Sequence, residues 1–286
     1  MTHDPLFDPA APPDPEITRL EDLLSPYRSR PPKRVWPAAT ALALAAIALL
    51  AVGLSLSRPV PWSTSTASCS GCIWEPDTLL DTSIEATARI GHRGELRAAP
   101  GSSIRRDAHN DAHFTVDRGQ VAFLVDAPAR WLVVRIPGVD VVDLGCAYTL
   151  DVAPTGTSVV EVQSGAVALE GGQRPSLVYA GMMAATWPDG RTGLPVVVDA
   201  SKPLISAVDA FDRGQGGLTD LLQLADLNDA ITLWHLIARV PATSRLAVVE
   251  RLESVLGDPL PSRDGLLDLD SSALDISLAY IIGRTL

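Results

Sequence analysis

Apolar residues change period several times along the chain, and each change predicts a different element. In residues 1–13 no period is visible and Pro and Asp dominate, which reads as disordered chain. Ile17, Leu20, Leu23, Leu24 and Tyr27 then fall at helical spacing, with Asp14 as N-cap and Glu16, Glu21 and Asp22 on the opposite face. Pro26 limits this helix, and Arg30-Pro31-Pro32-Lys33-Arg34 follows as a stiff basic joint. From Ala38 to Ser57 there is no charge, and only Thr40, Ser55 and Ser57 are polar. About 20 residues at ~1.5 Å rise reach ~30 Å, the hydrocarbon thickness of a bilayer. The segment therefore predicts a transmembrane helix over 37–57, because lipid leaves a non-helical backbone unpaired.

Past the span the period becomes two. Phe114 with Val116, and Val121 with Phe123 and Val125, share faces. Val142, Leu144, Cys146, Tyr148, Leu150 and Val152 form one alternating run. Turn signals punctuate these runs at Arg118-Gly119, Pro137-Gly138, Pro154-Thr155-Gly156, Ser164-Gly165, Gly171-Gly172 and Asp189-Gly190. The pattern predicts hairpins in an antiparallel β-sandwich or β-roll over 82–200. From about Ser201 the period turns helical again. Asn228-Asp229 caps a helix through Ile231, Leu233, Trp234, Leu236 and Ile237, and Thr243 or Ser244 caps another through Leu256, stopped by Gly257-Asp258-Pro259. A last helix spans about Ser272 to Ile282. The expected organisation is a tail over 1–36, the span at 37–57, a linker over 58–81, the β domain over 82–200 and an α-helical module over 201–286.

Composition narrows the class. The chain has 286 residues, 47% of them hydrophobic, with a formal charge of −11. An acidic balance disfavours a nucleic-acid binder, which needs a basic face. Arg19, Arg28, Arg30, Lys33 and Arg34 precede the span, whereas only Arg58 follows it as far as Leu80. The basic side stays in the cytoplasm, which places the C-terminal bulk in the periplasm of a bacterium with two membranes. A secretory signal peptide is the rival, but 36 residues are long for its n-region and no convincing small-residue cleavage site follows.

Three landmarks, in order, resemble the FecR-type periplasmic domain of transmembrane signalling regulators of the anti-sigma-factor type. Val116-Asp117-Arg118-Gly119-Gln120-Val121-Ala122-Phe123-Leu124-Val125 is similar to that family's first hairpin. Val142-Asp143-Leu144-Gly145-Cys146-Ala147-Tyr148-Thr149-Leu150-Asp151-Val152 is similar to its central strand, with Cys146 where Thr is usual. Val160-Glu161-Val162-Gln163-Ser164-Gly165-Ala166-Val167-Ala168-Leu169 is similar to its second hairpin. The resemblance implies an inner-membrane regulator that passes a signal from a periplasmic protein or envelope component to a cytoplasmic partner such as a sigma factor. The alternative is a membrane-anchored scaffold without a signalling role. The tail helix, through Ile17, Leu20, Leu23, Leu24 and Tyr27, either docks that partner or lies on the membrane surface.

Candidate chemistry is sparse. Cys69 and Cys72 form a C-x-x-C pair, expected as a local disulfide in an oxidising compartment. A redox dithiol, or zinc shared with His109 and His113, is the competing reading. Cys146 reads as a small core hydrophobe and His235 as a core histidine inside an apolar helix. Asp107, Asp111 and Asp117 with His109 and His113 read as a solvated loop. Neither of the two lysines, Lys33 and Lys202, completes a phosphate loop, and no H-E-x-x-H or G-x-S-x-G occurs. The expectation is a non-enzyme with no cofactor, catalytic residue or metal site.

Overall fold

Alternating burial along short strands builds the β half. In the computed structural model the described residues are 62–66, 69–73, 79–82, 84–90, 93–107, 109–110, 112–172 and 175–285. All of them fall in one compact unit, Pro59–Leu286. The strands are β1 Trp62–Thr66, β2 Cys69–Ile73, β3 Leu79–Asp81, β4 Ala86–Ile90, β5 Gly94–Ala98, β6 Ser103–Arg106, β7 His113–Val125, β8 Val133–Ile136 and β9 Val139–Asp143. They continue with β10 Ala147–Val152, β11 Ser158–Ser164, β12 Ala166–Glu170, β13 Ser176–Tyr179, β14 Met182–Thr186 and β15 Val196–Val197.

The central device is β7. Its first half pairs with β6 and, in parallel, with β8. Its second half pairs with β5 and β10. One strand thus runs through two sheet faces, ordered β2-β1-β4-β5-β7-β10-β11-β14-β15 and β3-β6-β7-β8-β9-β12-β13. The fold is mainly β: a curled, mostly antiparallel sheet in the manner of a half-barrel, followed by helices. Because β7 keeps the faces continuous, this is not a sandwich of two separate sheets.

The bend falls at Gly119, which has φ +96°. A Cβ there would overlap Ser102, whose hydroxyl donates to the carbonyls of Ala99 and Gln120. The expected turn at Arg118-Gly119 is therefore a kink inside one long strand. The run from Val142 to Val152 departs in the opposite way. It breaks at Gly145, φ +92°, and changes sheet between β9 and β10. Period alone does not distinguish a strand that bends from one that stops, because both keep side chains alternating.

Residues 58–81, expected as a linker, carry β1, β2 and β3 instead. Trp62–Thr66 pairs with β2 on one side and β4 on the other, so its backbone hydrogen bonds are met within the sheet. The Ser/Thr-rich composition hid this, because it lacks the apolar alternation of the later strands. Among the described residues no helix is long and apolar enough to cross a membrane. Residues 37–57 and the tail residues Ile17, Leu20, Leu23, Leu24 and Tyr27 lie outside the described residues.

The helices are α1 Lys202–Asp212, α2 Leu218–Leu224, α3 Ala230–Ile237, α4 Ala242–Leu256, α5 Arg263–Leu267 and α6 Ser271–Thr285. Ser201 caps α1 and Pro203 sits in its first turn. Asp226 and Asp229 form a capping box around the short 3-10 turn that opens α3. At α4 the expected Thr243 or Ser244 cap is replaced by Pro241, without a side-chain cap bond. Gly257, φ +76°, ends that helix as expected. A single core joins the sheet residues Leu96, Phe114, Val121, Val134, Tyr148 and Leu169 to Leu204, Leu233 and Leu236 of the helices. Truncating any one of these to Ala costs about 2–5 kcal/mol.

Candidate functional site at the sheet–helix junction

Helix α3 is almost wholly buried, yet three polar side chains at i, i+3 and i+7 share one of its faces. Thr232 Oγ1 donates to the Pro195 carbonyl at 2.6 Å. His235 Nε2 lies 3.1 Å from the Leu177 carbonyl. Arg239, just past the helix end, donates from Nη1 to the Thr192 carbonyl at 2.7 Å and from Nη2 to Ser176 Oγ. These bonds key the helical part onto β13 and the segment after β14. They also satisfy a carbonyl on β13, an edge strand of its sheet.

Asp212, at the C-terminus of α1, completes the junction. Its carboxylate accepts from the Leu194 amide, at 3.2 Å and 3.0 Å for its two oxygens. Arg239 Nη1 stands 3.7 Å from Asp212 Oδ1, longer than a hydrogen bond, and the two side chains are only 18% and 6% exposed. Burial pushes the Asp212 carboxyl up to about 6, against the pull of the Leu194 amide and the Arg239 charge. Burial likewise pushes His235 down to about 3, helped by Arg239. Because a carbonyl can only accept, His235 is a neutral ring donating from Nε2.

Two clefts flank the end of α3, and Ala238 and Arg239 line both. The larger, ≈ 510 Å³, has a mixed lining and is walled by Trp187, Arg191, Thr192, Asp212 and Arg213. The Arg191 guanidinium lies over the Trp187 ring at 4.9 Å, and its Nη1 donates to the Asp212 carbonyl at 3.0 Å. The smaller, ≈ 250 Å³, is walled by Pro175, Leu177, Trp234, His235 and Leu274, with Asp275 at its lip. Trp234 Nε1 is held by the Leu274 carbonyl at 3.2 Å and Ser277 Oγ at 3.0 Å. A third, open depression of ≈ 470 Å³ lies on the outer face of the larger sheet, around Arg97, Ala122 and Thr149, beside the exposed Leu124.

The residues singled out by sequence are not gathered here, except His235. Cys146 is buried as expected, but its thiol donates to Asp143 Oδ1 at 2.6 Å rather than packing as a plain hydrophobe. Burial raises the Asp143 carboxyl, and burial with that neighbour raises the thiol beyond ordinary titration. His109 joins Asp107 through its backbone amide at 2.7 Å, a local turn in an exposed loop. Among the described residues no three metal-ligating side chains cluster. Cys69 and Cys72 both belong to strand β2, and their side chains lie outside the described residues. Extended chain sets Cα atoms three residues apart at about 10 Å, against the ~4.4–6.8 Å of a disulfide, so a local bond requires the strand to bend at its bulge. Arg191, Arg239 and Asp212 were missed by sequence reasoning. The one available signal was Thr232, His235 and Arg239 recurring on the same side of an otherwise apolar helix.

No family model matches the chain, and no curated protein matches it. Among solved structures, a crystal structure of a candidate anti-sigma factor from Parabacteroides distasonis matches at 16% identity and TM-score 0.36, over 46% of this chain and 63% of that one. A second such structure from the same organism matches at 14% identity and TM-score 0.33, over 46% and 61%. This chain thus spans less than two thirds of either neighbour.

Proposed function

We propose that the protein is a single-pass inner-membrane regulator, not an enzyme. Its FecR-like β domain and helical module face the periplasm and engage a protein or envelope component. Its cytoplasmic tail helix, through Ile17, Leu20, Leu23, Leu24 and Tyr27, engages a sigma factor or another regulator. The observation that carries this reading is the uncharged stretch from Ala38 to Ser57 with its basic residues on one side, set before a separate compact unit at Pro59–Leu286. Three sequence landmarks in the β domain support it. A single helix transmits a signal only when binding biases two states of the assembly differently, which calls for a partner on each side.

Reporter fusions test the topology. A C-terminal alkaline phosphatase fusion is expected to be active and a C-terminal fluorescent protein dark. The reverse result overturns the reading. A pull-down with residues 1–36 that retains no cytoplasmic protein leaves the scaffold reading in its place.

A further inference from the structure

Arg239 is a mostly buried cation whose nearest carboxylate, Asp212, stands beyond hydrogen-bond distance. Buried charge is costly unless paired, and the two bonds to Thr192 and Ser176 go to neutral oxygens. A guanidinium has five N–H donors, so three remain beyond those two bonds. Arg191 and Arg213 add positive charge along the larger cleft, although each also meets an exposed aspartate, Asp189 and Asp209. Those pairs are solvated and easily exchanged. On its other side Arg239 borders the apolar pocket of Trp234, Leu177, Pro175 and Leu274. One residue thus joins an apolar pocket to a cleft lined by Arg191 and Arg213 as well as Asp212.

That juxtaposition selects ligands in which an apolar group sits beside an anion. Pocket size narrows the choice. At roughly 30 Å³ for each water-sized group, ≈ 250 Å³ holds about eight such groups, the bulk of one large side chain and not of a long acyl tail. The neighbouring cleft of ≈ 510 Å³ then receives the carboxylate and the preceding backbone. We propose that the junction binds the free C-terminal end of a peptide, with its last, large apolar side chain against Trp234 and Leu177 and its carboxylate on Arg239 and Arg191. The carboxylate and guanidinium form a charge-assisted, bidentate-capable pair. The inference rests on the reading of the helical module as the receiving side for an envelope protein, and it supplies the chemistry of that ligand.

The test uses the full chain in detergent micelles and titration calorimetry. The probes are the hexapeptide Gly-Ser-Gly-Ser-Tyr-Phe with a free carboxylate, its C-terminal amide, the same peptide ending in Gly, and laurate. The free acid is expected to bind, and both the amide and the Gly-ended peptide to bind at least about tenfold more weakly. Arg239→Gln is expected to lose the preference for acid over amide. Since Arg239 also keys the fold, Ala238→Trp serves as the second variant. It fills the ridge shared by the two clefts and is expected to abolish binding with an unchanged thermal midpoint. Equal binding of acid and amide overturns the proposal, as does no binding at about 1 mM. Tighter binding of laurate than of peptide overturns it in favour of a lipid source. Failure here with the expected fusion topology leaves the regulator reading intact. Selective binding by a chain whose C-terminus is cytoplasmic keeps the site and removes the regulator.

Discussion

Asp212 and His235 both face Arg239, yet they titrate in opposite senses. Folded Asp212 keeps its proton to about 6, against 3.8 for the ordinary group, so the native state binds more protons between those values. Its contribution to stability is present at low pH and lost as pH rises through about 6. Folded His235 holds its ring neutral down to about 3, against 6.5. Its contribution is present above 6.5 and lost as pH falls toward about 3. Between about 4 and 6 the two slopes oppose each other, and the wild-type unfolding free energy is expected to be nearly flat across that window. Asp212→Asn is expected to unmask acid lability, and His235→Gln to make the chain more stable at the acid end. Across that window each change is worth at most about 3 kcal/mol. Urea unfolding at three pH values reads this out, and identical profiles for Asp212→Asn and wild type would refute it. Gly119 makes a simpler case. Gly119→Ala combines a left-handed φ with overlap on Ser102 and is expected to cost about 2–4 kcal/mol. A thermal midpoint within a degree of wild type would mean that β7 does not bend there.

At the scale of elements, the helices are finished from outside themselves. None of α2, α4 and α5 has a basic residue in its own last turn. Their terminal carbonyls are instead met from neighbours: Ala225 by Arg251, Leu256 by Arg284 and Leu267 by Arg245. Each arginine places positive charge at the negative end of a helix while satisfying an orphan acceptor. Arg251→Met keeps the aliphatic stem and removes the donor. It is expected to cost about 1–2 kcal/mol and to loosen α2 first, seen as faster amide exchange at Leu221 to Ala225. Unchanged exchange there would mean that water serves the carbonyl equally well. These caps were illegible beforehand because residues 22 to 28 positions apart carry no local spacing signal. Local signals were read correctly at Gly257 behind α4 and at Pro137-Gly138 and Pro154-Thr155-Gly156, which join paired strands, but not at Arg118-Gly119 or at the start of α4.

For the whole molecule, the proposed regulator requires the parts on either side of Ala38–Ser57 to communicate. Replacing Leu20 and Leu23 with Asp destroys the apolar stripe of the proposed tail helix and leaves the sequence of Pro59–Leu286 unchanged. A regulator is expected to change the transcription of its target genes, with membrane localisation preserved. Unaltered transcription would instead favour the scaffold. The curled sheet and the helices behave as one cooperative body in this picture, since their residues share a core. Destabilising the junction is therefore expected to lower a single unfolding transition instead of splitting it in two.

Period and punctuation along the amino-acid sequence were enough to show an uncharged apolar stretch over Ala38–Ser57, a β-rich stretch and a helical end. Those traits follow from spacing among near neighbours, which any reader of the residues can count. Long-range contacts alone set β7 into two sheet faces, made strands of the Ser/Thr-rich stretch after Arg58, and put Arg239 between Asp212 and Trp234. Such facts depend on which distant backbone groups find one another as the sheet curls and closes. A hydrogen bond between α3 and β13 spans 58 positions, and no local pattern encodes it.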